Sequence, residues 1–213
     1  MITKTKYWCF QEALPSHICD SIIRYGLTKK DSYGTTGRQG NFKNLKSKDQ
    51  KELLGLRNSK LVWLDEQWIY RYVMPFVHKA NINAGWNFQI DVSEQCQFTK
   101  YGEGQFYDWH CDSFPEPYGF KESGYLKDHK FNGKIRKLSV TVSLSDPETY
   151  RGGELEFCLS ESPVKRLEIE QCKDVLPKGS IVVFPSFVWH RVKPVTSGTR
   201  YSLVIWNCGN PYQ

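Results

Sequence analysis

The chain has few of the residues on which sequence motifs are commonly built. Of its 213 residues only 5 are His and 2 are Met. The 7 Cys stand at positions 9, 19, 96, 111, 158, 172 and 208, with no C-x-x-C pair among them. That spacing argues against a zinc ribbon, and an odd, unpatterned count fits reduced thiols in a cytoplasm. No stretch approaches the ~20 apolar residues of a membrane span. The opening "MITKTKYWCFQEALP" holds no apolar run that reads as a signal peptide. G-x-x-x-x-G-K, a dinucleotide fingerprint and H-E-x-x-H are all missing, as are internal repeats. The expectation is a soluble, cytoplasmic protein without a P-loop or a Rossmann unit.

What is present is ordinary in bulk and unusual in detail. Hydrophobic residues make up 39% and charged residues 24%, which is globular composition. The length suits a single domain over residues 1–213. Aromatics reach 15%, enough to wall a pocket as well as fill a core. The net charge of +6 fits an acidic partner, a nucleic acid or a small anionic co-substrate, and does not choose among them.

Periodicity divides the chain near residue 88. Residues 1–87 read as a partly helical N-terminal portion. "PSHICDSIIRYG" places Ile18, Ile22 and Tyr25 at helical spacing and stops at Gly26. Residues 31–52, rich in Gly, Lys and polar side chains, read as a loop. "LDEQWIYRYVMPFVHKAN" is helical again, with Asp65 as a cap and Ile69, Val73, Phe76 and Val77 on one face. Pro75 is expected to kink or end that helix. From Phe88 the period becomes two. In "KLSVTVSLSD", Leu138, Val140, Val142 and Leu144 alternate with Ser139, Thr141, Ser143 and Ser145, a strand with one apolar and one small polar face. "GGELEFCL", "GSIVVFPSFVWHRV" and "RYSLVIWN" are further strands, separated by Gly and Pro turn signals. The fold class is mainly β with flanking helices (α+β), a sandwich or jelly roll with its core in residues 88–213.

The stretch "YDWHCDSF" carries the chemistry. In an extended strand residues i and i+2 point the same way. His110 and Asp112 can therefore offer a nitrogen and a carboxylate oxygen to one ion, with Cys111 facing away. H-x-D alone recurs by chance, so a metal site needs a third ligand. His17, His78 and His129 lie on a helix, near a helix end and in a Lys-rich loop, where a surface or capping role is the plainer reading. His190 ends the apolar run "FPSFVWHRVKP" and is the natural third ligand. Two His and one carboxylate on one face of an ion are the facial triad of non-haem Fe(II) oxygenases. Arg200 follows ten residues later, past a turn at Ser197-Gly198. His190 and Arg200 are expected on adjacent antiparallel strands, joined by a three-residue loop with Gly198 in the left-handed region. A buried Arg facing inward needs an anion, and a ligand carboxylate suits it. Trp109 and Phe114 are candidate pocket walls.

With these parts in order, the chain resembles the Fe(II)- and 2-oxoglutarate-dependent dioxygenases of the prolyl 4-hydroxylase type, in particular bacterial and phage hydroxylases including the PKHD-type enzymes. "YGEGQFYDWHCD", "RKLSVTVSLSDPETYRGGELEF" and "LPKGSIVVFPSFVWHRVKPVTSGTRYSLVIW" carry the resemblance, and "FQEALPSHICDSIIRYG" looks like the family's N-terminal strand and helix. The resemblance implies a double-stranded β-helix with helices on one side. It implies that His110, Asp112 and His190 hold Fe(II), that Arg200 binds the distal carboxylate of 2-oxoglutarate, and that Tyr101 hydrogen-bonds the same co-substrate. O₂ is the second co-substrate, and members of the group often use L-ascorbate to keep the iron reduced. The implied activity is hydroxylation of an unactivated C–H bond, by default in a prolyl residue of a peptide or protein, with a small molecule as the other substrate class. The implied setting is cytoplasmic, including a phage-encoded enzyme acting in a bacterial host. Residues 113–136, with Phe114, Tyr118, Phe120 and Tyr125, read either as a lid over the substrate or as a surface excursion.

Two rivals use the same strands. An AlkB-like nucleic-acid demethylase shares the triad but shows a second Arg six residues after the first, where this chain has Trp206. A non-catalytic jelly-roll binding protein would not need all of His110, Asp112, His190 and Arg200. A zinc hydrolase lacks a Glu placed as general base.

Overall fold

The computed structural model describes residues 5–36, 42–119, 129–160 and 168–212. In chain order these form β1 (Trp8–Phe10), α1 (Ser16–Leu27), β2 (Ser32–Tyr33), α2 (Ser47–Leu56), β3 (Arg57–Asn58), β4 (Lys60–Leu64) and α3 (Gln67–Asn83). Then come β5 (Val92–Ser93), β6 (Cys96–Tyr101), β7 (Phe106–His110), β8 (Ile135–Ser143), β9 (Tyr150–Gly152), β10 (Leu155–Cys158) and β11 (Ile169–Gln171). The chain closes with β12 (Ile181–Pro185), β13 (His190–Val192), β14 (Val195–Gly198) and β15 (Arg200–Gly209).

The strands make two main antiparallel sheets. The larger runs β1-β12-β8-β15-β6-β4-β2, with β5 also on β15. The smaller runs β11-β10-β13-β7-β3, and β14 pairs β9 apart from both. The sheets face each other across a core of Tyr101, Leu155, Phe157, Val182, Phe184 and Val192. This is the jelly roll expected from the sequence. β1 to β4 all precede residue 88 and all pair into these sheets.

The alternation in β8 decides which way the large sheet faces. Leu138, Val140, Val142 and Leu144 pack with Ile22 of α1 and with Ile69, Val73 and Val77 of α3. The helices therefore cover the outer face, and Ser139, Thr141 and Ser143 turn inward, buried at 0%, 6% and 3% exposure. A barrel interior lined by small hydroxyls leaves space and hydrogen-bonding capacity for a polar ligand.

Three local expectations are corrected by the structure, and a fourth, that Pro75 kinks or ends its helix, is narrowed. Pro75 lies within α3 without ending it. Burial of Ile69, Val73 and Val77 against the sheet contributes roughly 1.5–3 kcal/mol each, which together exceeds the ~3 kcal/mol that an interior Pro costs. The α3 N-cap is Glu66, not Asp65, and it makes no side-chain capping bond. The supposed loop 31–52 contains β2 and most of α2, whose only buried residue is Leu53, so its apolar period is faint. Finally, "GSIVVFPSFVWHRV" is two strands. Pro185 ends β12 in the large sheet, a turn closes through Val188 N–H to Pro185 O at 2.9 Å, and β13 starts in the small sheet.

Candidate metal centre

The last correction sets up the site. β13 runs between β10 and β7, and His190 stands directly opposite His110 in the β13–β7 register. Hydrogen bonding between two strands far apart in sequence thus brings the two imidazoles together, with ring centroids 4.1 Å apart. Asp112 lies two residues beyond His110, where its backbone N–H donates to Ser186 O at 2.9 Å. Its carboxylate oxygens lie 3.8 Å from His110 Nε2 and 3.6 Å from His190 Nε2. One donor atom from each of the three residues falls within 4.8 Å of the other two. His17, His78 and His129 are not part of this cluster. Cys111 faces away as expected, donating its thiol to Phe187 O at 3.3 Å.

The protonation chemistry suits a metal. His110 Nδ1 lies 2.7 Å from Asp108 O and His190 Nδ1 lies 2.9 Å from Val188 O. A carbonyl can only accept, so each Nδ1 carries a proton and each Nε2 is the nitrogen turned to the centre. Burial, and then the charge of His190, hold the His110 imidazolium pKa well below its usual value, so the ring is neutral. Burial alone would raise the Asp112 pKa; the facing His190 and His110, Arg136 and a hydrogen bond from Ser139 together hold it below the ordinary carboxylate range. Two imidazoles and one carboxylate, all nearly buried, are the ligand set of a facial non-haem iron site.

Arg200 opens β15 and sits opposite Tyr101 on β6. The expected hairpin with His190 is not formed. β14 intervenes and pairs β9, and Gly198, at a φ of +76°, passes so close to Thr149 that a Cβ would stand 2.2 Å from its carbonyl oxygen. Its left-handed backbone thus serves a close crossing and not a hairpin turn. Arg200 nevertheless points inward. It is 3% exposed, donates from Nη1 to Ser202 Oγ at 3.3 Å, and lies 5.6 Å from the centre of the Tyr101 ring. Among the described residues no carboxylate lies within ion-pair distance of it. A buried guanidinium in this state is set to receive an anionic ligand. Tyr101 is buried beside it, and burial raises the phenol pKa, keeping the hydroxyl a neutral donor.

The other predicted parts divide. Trp109 lies under the Arg191 guanidinium at 4.7 Å, and Arg191 pairs Glu156 on the outer face of the small sheet, so Trp109 does not wall the interior. Phe114 packs against Tyr118 and the Arg136 guanidinium. In the 113–136 segment, Tyr118 is anchored through its hydroxyl to Glu94 and through its backbone to Lys134 and Gly133. Phe120 and Tyr125 lie outside the described residues.

Two groups at the site had escaped the sequence reading. Arg136 donates to both oxygens of Glu94 at 2.6 Å and to the Asp112 carbonyl at 3.3 Å, fixing the backbone of a candidate ligand. Arg57, on β3, lies with its guanidinium 4.5 Å from the centre of the Tyr107 ring, which stacks on His110. Neither had a local signal, because each meets its partners through long-range pairing.

Residues 96–208, more than half of the chain, match the family model of the 2OG-Fe(II) oxygenase superfamily. The chain belongs to that superfamily. That superfamily is named for oxygenases that use 2-oxoglutarate and Fe(II). The His110–Asp112–His190 cluster has the donor set such an iron requires. Curated relatives include the PKHD-type hydroxylase YbiX of Escherichia coli O1:K1 and of Shigella dysenteriae serotype 1. Each is 41% identical over 92 residues, covering 43% of this chain and 37% of the relative. The match thus spans little more than a third of those relatives' length. Solved structures share the fold over nearly the whole chain. The viral collagen prolyl hydroxylase of Paramecium Bursaria Chlorella virus-1, in its 2OG complex, has a TM-score of 0.62 at 18% identity, covering 97% of both chains. A Pseudomonas putida prolyl-4-hydroxylase gives 0.65 at 18% identity, covering 96% of this chain and 93% of its own. A Trichoplax adhaerens prolyl hydroxylase, in complex with a peptide fragment, gives 0.63 at 17% identity, covering 96% and 84%. No helix among the described residues is long and apolar enough to cross a membrane.

Proposed function

We propose that residues 1–213 form one dioxygenase domain that hydroxylates a prolyl residue of a peptide or protein, using Fe(II), 2-oxoglutarate and O₂ in the cytoplasm. The observation that carries this reading is the pairing of two features in one interior. A facial donor set, His110, Asp112 and His190, shares the space between the sheets with Arg200, a buried cation that has no carboxylate partner among the described residues. The prolyl hydroxylases that share this fold suggest the prolyl substrate.

In this reading His110, Asp112 and His190 hold the iron, and Arg200 takes the distal carboxylate of 2-oxoglutarate. Tyr101, directly across the β6–β15 ladder from Arg200, donates its hydroxyl to the same co-substrate. The bound iron and co-substrate supply the oxidation that inserts an oxygen atom into the substrate C–H bond. The protein's part is placement. The backbone carbonyls of Asp108 and Val188 fix the imidazole tautomers. Arg136 and Ser186 fix Asp112. Phe184, with its ring centroid 4.7 Å from that of His190, and Phe157 keep water from that side of the site. Ascorbate serves as the reductant that restores the iron. Trp206 stands where a nucleic-acid demethylase of this superfamily would have its second Arg, which favours the hydroxylase.

Succinate release across a peptide and metabolite library tests the proposal, with mass spectrometry for the gain of one oxygen. Turnover of prolyl peptides is expected. Turnover of free amino acids with none of any peptide would overturn the prolyl-peptide assignment.

A further inference from the structure

Arg57 is a second buried guanidinium near the same centre, in addition to Arg200. It is 4% exposed. Its Nε donates to Ser59 Oγ and its Nη1 to Thr35 O, both at 2.9 Å. Its Nη2 is buried and has no hydrogen-bond partner among the described residues. The guanidinium packs on the Tyr107 ring, and that ring stacks on His110 at 3.4 Å between centroids. Trp206 Nε1 is likewise buried without a partner. Its ring lies against Arg136, the residue that holds Asp112, and it stands opposite Ser139 in the β15–β8 register.

Both orphaned groups beside the triad are donors. What is missing there is an acceptor, and a ligand must bring it. For Trp206 a neutral oxygen is enough. Arg57 is a buried charge with no carboxylate within ion-pair distance among the described residues, so its natural partner is an anion. Two of its five N–H donors are directed to Ser59 and Thr35, and the guanidinium face rests on the Tyr107 ring, which leaves Nη2 held in place for an acceptor. 2-oxoglutarate does not supply it if Arg200 already holds the distal carboxylate.

We propose that Arg57 is a specificity-determining residue that binds a carboxylate of the prime substrate, so that the enzyme selects a prolyl substrate carrying an acidic group next to the hydroxylated ring. The proposal rests on the hydroxylase reading above and narrows its substrate class. The acid can be a free C-terminal carboxyl or a neighbouring Asp or Glu side chain, and the test separates these sources.

The test uses the full chain loaded with Fe(II) and 2-oxoglutarate. Substrates are paired: Gly-Pro-Gly with a free carboxyl end against its C-terminal amide, internal Pro-Asp against Pro-Asn, and L-proline against L-prolinamide. At least one acid member should exceed its amide in kcat/KM by about tenfold or more, the scale of one charge-assisted hydrogen bond. Arg57→Gln should bring that ratio close to one and Arg57→Lys should keep part of it. Arg200→Gln should leave the ratio intact and raise the KM for 2-oxoglutarate. A ratio unchanged in Arg57→Gln overturns the proposal, as does a rise in the 2-oxoglutarate KM matching that of Arg200→Gln. If Arg57→Gln does not fold, the wild-type ratio and Arg57→Lys decide the matter. A second readout needs no turnover: calorimetric titration of the Mn(II)- and 2-oxoglutarate-loaded protein with the same pairs. Acid-selective binding without hydroxylation keeps Arg57 in its role and removes the hydroxylase reading. Hydroxylation without acid preference does the reverse, and equal or absent binding of every pair overturns the Arg57 assignment.

Discussion

Replacing Glu94 with Gln should unsettle both the fold and the candidate iron site. Glu94 is 6% exposed and accepts two 2.6 Å hydrogen bonds from Arg136, a third from Tyr118 at 2.6 Å and a weak one from the Cys208 thiol. The substitution keeps the shape and removes the charge. Arg136, itself nearly buried, then loses its directly paired carboxylate, and breaking one side of such a pair costs about 3–5 kcal/mol. The lower end applies, because Arg136 keeps its bond to the Asp112 carbonyl and its packing on Phe114 and Trp206. For a domain of this size roughly 3 kcal/mol lowers the Tm by about 6–12 °C. Urea unfolding followed by circular dichroism should show the same loss. Because Arg136 also holds Asp112, the affinity for Fe(II) should fall as well. The double variant Glu94→Leu/Arg136→Met removes both charges and should recover most of the stability but not the metal affinity. A loss below about 1 kcal/mol, or a double variant less stable than Glu94→Gln, would refute the buried-pair argument.

Two further outcomes follow from packing and burial. A methyl at Gly26 on α1 would meet the Phe98 ring at 2.5–2.8 Å, and that ring is stacked on Tyr201, so Gly26→Ala should lower the urea midpoint. Overpacking at roughly 1–3 kcal/mol outweighs the helix-propensity gain of at most ~1 kcal/mol; an unchanged or raised midpoint would show that the sheet yields there. Burial pushes the Cys111 and Cys96 thiols up to about 12 and Cys19 up to about 11. Raised pKa values mean less thiolate, on the order of one part in a thousand or less at pH 8, so iodoacetamide should label these three slowly in the native protein and all 7 Cys readily in denaturant. Fast native labelling of Cys111 would contradict that environment.

The site was more legible than its scaffold. His110 and Asp112 could be read together because side chains two apart in extended chain point the same way, and His190 stood out as the one His ending an apolar strand. The inward polar face of β8 was written in the alternation of Ser and Thr with Leu and Val. What stayed hidden depends on which strands pair. No local pattern says that β13 lies on β7 and not on β15, so the hairpin from His190 to Arg200 was a reasonable inference from a Gly turn that in fact serves a close crossing. Arg57 and Glu94 were invisible for the same reason. An Arg after a weakly amphipathic helix and a Glu before a short strand look like surface residues until the sheets close around them. The break inside "GSIVVFPSFVWHRV" was signalled by Pro185, but continuous apolar character masked it.

The central claim is that His110, Asp112 and His190 hold Fe(II) with 2-oxoglutarate beside Arg200. Anaerobic addition of Fe(II) and 2-oxoglutarate to the protein, followed by visible absorption, tests it most directly. The account predicts the weak charge-transfer band of the iron–co-substrate chelate, lost in His110→Ala and requiring higher 2-oxoglutarate in Arg200→Gln. No band in the native protein, or a band that His110→Ala leaves unchanged, would contradict it and favour a jelly roll that binds without catalysis.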